Sequence, residues 1–176
     1  MKKNQIVTLA TFAFITLFQS SPSKAQDKLS TESANAKEAF IKTDATMKDR
    51  FENSYGYVIF PSVAKAALVV GGAGAEGSVY EQGHRIGTAK MAQVNVGAQV
   101  GGQAYREVIF FENKDALDRF KDNKFEFNGQ VSAVAAKSGA SANAKYTDGV
   151  QVFTHAKSGL MAEASVGGQK FTYKAL

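Results

Sequence analysis

Residues 69–80 read VVGGAGAEGSVY, and this stretch decides between two fold classes. Gly72, Gly74 and Gly77 have the spacing G-x-G-x-x-G, which in a parallel α/β fold leads from a strand into a helix that binds a dinucleotide phosphate. The residues that follow, SVYEQG, favour a strand and leave no room for a helix before the next glycine. No Asp or Glu lies between residues 88 and 106 to bind a ribose. The stretch therefore predicts antiparallel strands and no nucleotide site.

The glycines of this region have a structural explanation. Within strands rich in Val and Ala, glycine permits the close approach of another backbone, or a bend where a sheet curls. The same pattern returns in VGAQVGGQ and ASVGGQ. We therefore assign structural roles to the following glycines: Gly71, Gly72, Gly74, Gly77, Gly97, Gly101, Gly102 and Gly167.

Alternation of side chains predicts further strands. Residues 92–100, AQVNVGAQV, carry Ala or Val at every second position from Ala92, which indicates a strand with one buried face. A turn at Gly83-His84 suits a hairpin between two such runs. Other predicted strands cover residues 130–137, 149–157, 159–167 and 169–176.

Two segments have helical periodicity. Residues 27–53 contain no glycine or proline, and their apolar stripe predicts one amphipathic helix. The residues of the stripe are Ala36, Phe40, Met47 and Phe51. Residues 113–123, NKDALDRFKDN, predict a short helix that Asn113 caps.

The order of these elements indicates the fold class. Strands are grouped rather than alternating with helices, which is typical of an α+β domain. We predict a mainly antiparallel, glycine-rich curved sheet or barrel-like sandwich, with an N-terminal amphipathic helix and one short helix near 113–122. A chain of 176 residues with 44% hydrophobic content suits a single domain, over residues 26–176.

The first 25 residues have the pattern of a secretory signal peptide. Two lysines precede an apolar run of 13 residues, from Ile6 to Phe18, which is shorter than the roughly 20 residues of a transmembrane helix. Ser23 and Ala25 place small residues at the positions that cleavage after Ala25 requires. We predict export to the periplasm or the medium, with an uncleaved anchor as the alternative. Cleavage removes three lysines and no acid, which lowers the formal charge from +5 to +2.

Few residues suit catalysis or metal binding. The chain has no cysteine and two histidines, His84 and His155, so we predict no metal site and no cofactor. Asp148, His155 and Ser158 lack the G-x-S-x-G turn of a hydrolase, so we predict no catalytic residues and no enzyme. The small net charge supplies no basic stripe, so we predict no nucleic-acid partner.

Three blocks of the chain resemble a known family. They are GYVIFPSVAKAALVVGGAGAEGSVY, VNVGAQVGGQAYREVIFFENKDALDRF and VFTHAKSGLMAEASVGGQ, and they are similar in order and spacing to successive blocks of the SYLF domain, also called the Ysc84 domain. The resemblance covers residues 30–174. Ala67 stands where the family commonly has glycine, Met161-Ala162-Glu163 replaces Phe-Ala-Gly, and the chain has no tryptophan.

This resemblance implies a non-enzymatic lipid-binding module. Eukaryotic relatives bind phosphoinositides and in some cases actin, and exported bacterial relatives are similar to phospholipid-binding proteins of the cell envelope. The implied partner is an anionic phospholipid or a membrane surface. The alternative is a structural or interaction domain that contacts another envelope protein.

The residues offer two means of binding lipid. Phe40, Met47 and Phe51 can insert into a membrane interface. The cations on the flanks of this helix are Lys42, Lys48 and Arg50. Packing of this apolar stripe on the sheet is the alternative. The second means is a set of lysines predicted on loops, which can attract anionic head groups. These lysines are Lys65, Lys90, Lys157 and Lys170, with Lys137 and Lys145.

Overall fold

The computed structural model describes residues 22–63, 73–93, 104–123, 133–157 and 168–176. Within these ranges the helices are α1 (Pro22–Thr43), α2 (Met47–Asn53), α3 (Lys114–Lys121) and α4 (Ala140–Asn143). The strands are β1 (Gly56–Val63), β2 (Ala73–Glu81), β3 (His84–Gln93), β4 (Tyr105–Phe111), β5 (Ala133–Ala135), β6 (Val150–Ala156) and β7 (Gln169–Ala175). They form one sheet in the order β5-β6-β4-β1-β2-β3-β7. The described pairs are antiparallel except for β5 with β6, which confirms the predicted α+β class.

The sheet is strongly curled. Gln169 Nε2 in β7 donates to Glu107 Oε2 in β4 at 3.0 Å, although β1, β2 and β3 lie between these two strands in the sheet. Four strand spacings in a flat sheet would separate them by about 19 Å. The rings of Phe60 in β1 and Phe171 in β7 also approach each other, with 5.9 Å between their centroids. The predicted curvature is therefore confirmed.

Each face of the sheet carries its own apolar cluster. On the concave face, α3 packs Leu117 and Phe120 against the strands. On the convex face, α1 and α2 cover Phe110 and Phe153. A strand side chain that points to the concave face therefore lies inside the curl. One that points to the convex face lies on the side covered by α1 and α2.

Gly77 occupies the kind of position that the sequence predicts for these glycines. It lies in β2, where a Cβ would be 2.6 Å from the Ile59 carbonyl oxygen and 2.7 Å from the Phe60 ring. Only glycine permits this approach of β1 to β2. Gly74 lies in the same strand, with 3.8 Å to the nearest atom that a Cβ would meet. No helix follows either glycine, since β2 leads directly into β3.

The helices differ from the prediction in number and in where the first one begins. Helix α1 begins at Pro22, within the segment predicted as a signal peptide. The predicted single helix over residues 27–53 is two helices, because the chain leaves helical geometry at Asp44 and resumes it at Met47. The short helix α3 is confirmed, and the Asn113 side chain caps it by accepting from the Ala116 N–H at 3.0 Å. The described part of the chain contains a further helical turn, α4, that the sequence did not predict.

Several strand details also differ. The hairpin turn lies at Gln82 and Gly83, both with positive φ, while His84 already pairs with Glu81 in β3. Ala92, predicted on a buried face, is exposed, because β3 directs Met91 to the concave cluster. The predicted strands at 149–157 and 169–176 are β6 and β7, and that at 130–137 is described only as the short β5. Residues 94–100 and 159–167 lie outside the described ranges.

Candidate functional site

The apolar stripe of the predicted amphipathic helix lies in the protein core. Phe40 and Met47 are fully buried and Phe51 is 4% exposed. The rings of Phe51 and Phe110 meet edge to face at 4.9 Å. Packing on the sheet is therefore the arrangement that the structure has, and lipid contact by these side chains requires α1 and α2 to leave the sheet. Among the described helices, none combines the length and apolarity needed to cross a bilayer.

A buried carboxylate fastens the junction between α1 and α2. Asp44 is 1% exposed, and its Oδ1 accepts from the Thr46 N–H at 3.1 Å, the Thr46 hydroxyl at 2.6 Å and the Gly139 N–H at 3.1 Å. Its Oδ2 accepts from the Ser141 N–H at 2.8 Å. Burial alone would raise the pKa of Asp44, but the hydrogen bonds from Thr46 and Ser141 outweigh this effect and lower the pKa. An ionised Asp44 thus ties the helix junction to the start of α4.

Both lysines predicted on the flanks of the helix are exposed to solvent. Lys42 lies in the last turn of α1, where a cation complements the helix dipole. Lys48 in α2 has its Nζ 3.8 Å from Glu52 Oε1, one turn further along. The two cations remain available at the surface while the apolar stripe between them is buried.

Three lysines share the outer, convex face of β3 and β7. Lys90 was predicted on a loop, as was Lys170, but both lie in strands, and the sequence did not indicate that Lys174 joins them. Lys90 pairs directly with Thr172, so Lys170 and Lys174 are its two diagonal neighbours across the strands, at about 7–8 Å. All three lysines are exposed. We call Lys90, Lys170 and Lys174 the basic face.

One acid adjoins the basic face. Glu76 in β2 places Oε1 3.5 Å from Lys90 Nζ, and the two side chains are 63% and 76% exposed. An ion pair this exposed is weak and easily exchanged for other partners. Within the described ranges, the basic face thus carries three exposed lysines beside one weakly held carboxylate on the convex surface of the sheet.

Another cation, Lys157, lies close in the chain to His155, which contacts the C-terminal end of α1. Lys157 follows β6 and is exposed. Two residues earlier, the imidazole of His155 is half-buried between α1 and β4. Its Nε2 lies 3.1 Å from Thr43 Oγ1, and its Nδ1 lies 3.2 Å from Arg106 Nη1. Burial, and then the Arg106 charge, lowers the pKa of His155. His155 thus lies at the edge of the core, where it joins α1 to the sheet.

A polar groove of about 390 Å³ lies beside the helix junction. Arg50 is at its centre, and Arg50 Nη2 donates to the carbonyl oxygens of Ser141 and Ala144, both at 2.8 Å. These bonds connect α2 to α4, and they engage the guanidinium group of Arg50 within the protein. The other lining residues are Thr46, Asp49, Asn53 and Ala142.

The concave face contains a buried polar cluster around Glu107. This residue is fully buried, and burial raises the pKa of Glu107 to about 8, against a smaller opposing effect of the hydrogen bond from Gln169. Glu107 Oε1, Thr154 Oγ1 and Gln169 Oε1 have no hydrogen-bond partner within the described ranges. Burial thus favours the neutral form of the carboxyl group that joins β4 to β7 inside the curl.

Part of the predicted site falls outside the described residues. Lys65 lies in such a segment, as do most of the glycines to which the sequence assigns structural roles. These glycines are Gly71, Gly72, Gly97, Gly101, Gly102 and Gly167.

Comparison with known proteins connects this chain to one family. The sequence model of the Ysc84 family, described as Las17-binding protein actin regulator, matches residues 92–175. Beta cell expansion factor A from Aeromonas veronii is 31% identical over 121 residues, which cover 69% of this chain and 46% of that protein. The chain thus spans about half the length of this curated relative. The family model covers the second and third of the blocks that resemble this domain, and residues 92–175 of the chain belong to the SYLF (Ysc84) family.

Proposed function

We propose that this chain is a non-enzymatic module that binds reversibly to anionic phospholipid membranes, phosphoinositides included, through the basic face. The observation that carries the proposal is the register of β3 and β7, which aligns three exposed lysines on one strand surface. We further propose that a cleaved signal peptide exports the protein to the periplasm or the medium.

The charges of the basic face set the expected strength of binding. A lysine near an anionic surface contributes about 1 kcal/mol, so three contribute roughly 3 kcal/mol before the cost of ordering. Binding of this strength is weak and reversible. It should also weaken as salt increases, because salt screens exposed charges.

Co-sedimentation with vesicles tests this proposal at pH 7.5. We expect binding to phosphatidylglycerol or phosphoinositide vesicles at low salt, weaker binding as salt increases, and little binding to phosphatidylcholine. The triple variant Lys90→Gln, Lys170→Gln and Lys174→Gln should lose most of this binding. A matched triple variant, Lys28→Gln, Lys114→Gln and Lys121→Gln, removes the same charge from α1 and α3 and should retain it. Equal loss in the two variants would contradict the assignment to the basic face.

A protein partner is the second candidate function. The matched family is described as Las17-binding, which is a protein interaction of that family. An envelope protein that contacts the basic face would also use its lysines. If no vesicle composition binds the chain at low salt, membrane binding is wrong and this second function is favoured.

A further inference from the structure

His155 lies at the contact between the C-terminal end of α1 and the sheet. Its ring centroid is 5.8 Å from that of Phe40, a residue of α1 whose side chain is fully buried. Its two nitrogens face Thr43 of α1 and Arg106 of β4. The imidazole therefore bridges the helix and the strand through both of its nitrogens.

The neighbouring groups allow one protonation state of this ring. A guanidinium can only donate, so Nδ1 must accept from Arg106 Nη1 and carries no proton. The Thr43 hydroxyl already donates to the Ala39 carbonyl oxygen at 2.9 Å, so it accepts from Nε2–H of His155. A directed chain of hydrogen bonds thus runs from Arg106 through a neutral His155 and Thr43 to α1.

A second proton on His155 breaks this chain. It would place an N–H on Nδ1 opposite the N–H of Arg106, and two positive charges would face each other in a half-buried site. Among the described residues, Lys42 in the last turn of α1 and Lys157 after β6 are exposed and also cationic. The nearest acid along the chain, Asp44, directs its carboxylate to Thr46, Gly139 and Ser141.

We propose that His155 is an acid-sensitive latch, whose protonation loosens the C-terminal end of α1 from the sheet and frees buried apolar side chains of α1 and α2. The side chains released are those of the buried stripe, Phe40, Met47 and Phe51. This inference extends the proposed function, since the released stripe can then enter a membrane that the basic face has already bound.

The pKa of His155 differs between the closed and open states, and this difference sets how strongly pH changes their equilibrium. The pKa of His155 is lowered in the closed state, so the stability of closure is fully present above the ordinary value of 6.5 and is lost as pH falls through the lowered pKa. If the closed imidazole stays neutral, opening at pH 5.5 is favoured by up to about tenfold over opening at pH 7.5.

Hydrogen exchange of the full chain without lipid tests the latch. After correction for intrinsic exchange rates, amides of residues 36–43 should exchange up to about tenfold faster at pH 5.5 than at pH 7.5, while amides of β4 keep their protection. His155→Gln should abolish this acceleration. His84→Gln removes the other histidine of the chain, which is exposed at the start of β3, and should leave the acceleration unchanged.

Arg106→Gln provides a second variant if His155→Gln does not fold. A glutamine amide can accept a hydrogen bond from the protonated ring, so the acceleration should become smaller than in the wild type. Equal acceleration in wild type and His155→Gln, or none in the wild type, would overturn the latch. Vesicle binding at pH 7.5 is measured separately, so loss of the latch and loss of membrane binding give different results.

Discussion

At the residue scale, the ionisation of the buried Glu107 is coupled to folding. Its pKa is raised from 4.5 to about 8 by complete burial, so the folded protein retains a proton that the unfolded chain releases near pH 4.5. Between these two values the free energy of unfolding decreases as pH rises. The slope is up to about 1.4 kcal/mol per pH unit for one proton.

We predict that Glu107→Gln removes this pH dependence, because its amide carries no titrating proton. The free energy of unfolding of the variant, minus that of the wild type, should increase from pH 5 to pH 8 in chemical denaturation. Glu112→Gln is a matched control, since Glu112 is exposed just after β4. A constant difference for both variants would show that Glu107 is not protonated in the folded state.

At the scale of elements, the junction of α1 and α2 depends on Asp44. We predict that Asp44→Asn lowers the free energy of unfolding by about 2–4 kcal/mol, because an amide NH₂ would face buried N–H donors. Asp49→Asn, in the exposed first turn of α2, should cost less than about 1 kcal/mol.

The acid dependence of this difference is a further check in the same experiment. The Asp44 pKa is lowered, so its contribution is fully present above the ordinary value of 3.8 and is lost as pH falls through the lowered pKa. The difference between wild type and Asp44→Asn should therefore persist to about pH 4 and diminish in stronger acid. A difference that already vanishes at pH 6 would contradict the proposed hydrogen bonds.

The sequence predicted elements whose signals are local. Asn113 capping and the apolar side of α3 define that helix, and alternation defines β6 and β7. The break at Asp44 was not predictable from periodicity, because Phe40, Met47 and Phe51 keep one stripe across it. Its partners at Gly139 and Ser141 are more than 90 residues away in the chain, and only the fold brings them together.

At the scale of the whole molecule, curvature and strand order create the candidate site. Lys90 and Lys170 were named from the sequence, but strand pairing between β3 and β7 was needed to join them with Lys174. The Glu107–Gln169 bond depends on the curl of the entire sheet, so composition gave no sign of it. The proposal of lipid binding came from the lysines and the family resemblance in the sequence. The surface proposed to bind lipid was identified only from the register of β3 and β7.

The curled sheet also separates two surfaces that the sequence did not distinguish. The convex side carries the basic face together with α1 and α2, whereas α3 lies on the concave side. Membrane contact through the basic face therefore requires no unfolding at neutral pH. It should leave α3 directed away from the bilayer.

The most direct measurement of this orientation uses single environment-sensitive fluorophores, because the chain contains no cysteine. One label is attached at Thr172→Cys, opposite Lys90 on the basic face, and the other at Asp115→Cys, exposed on α3. On addition of phosphatidylglycerol vesicles at pH 7.5 and low salt, we predict a blue shift and increased emission at position 172 and none at position 115. A response at position 115 alone, or equal responses at both, would contradict membrane binding through the basic face.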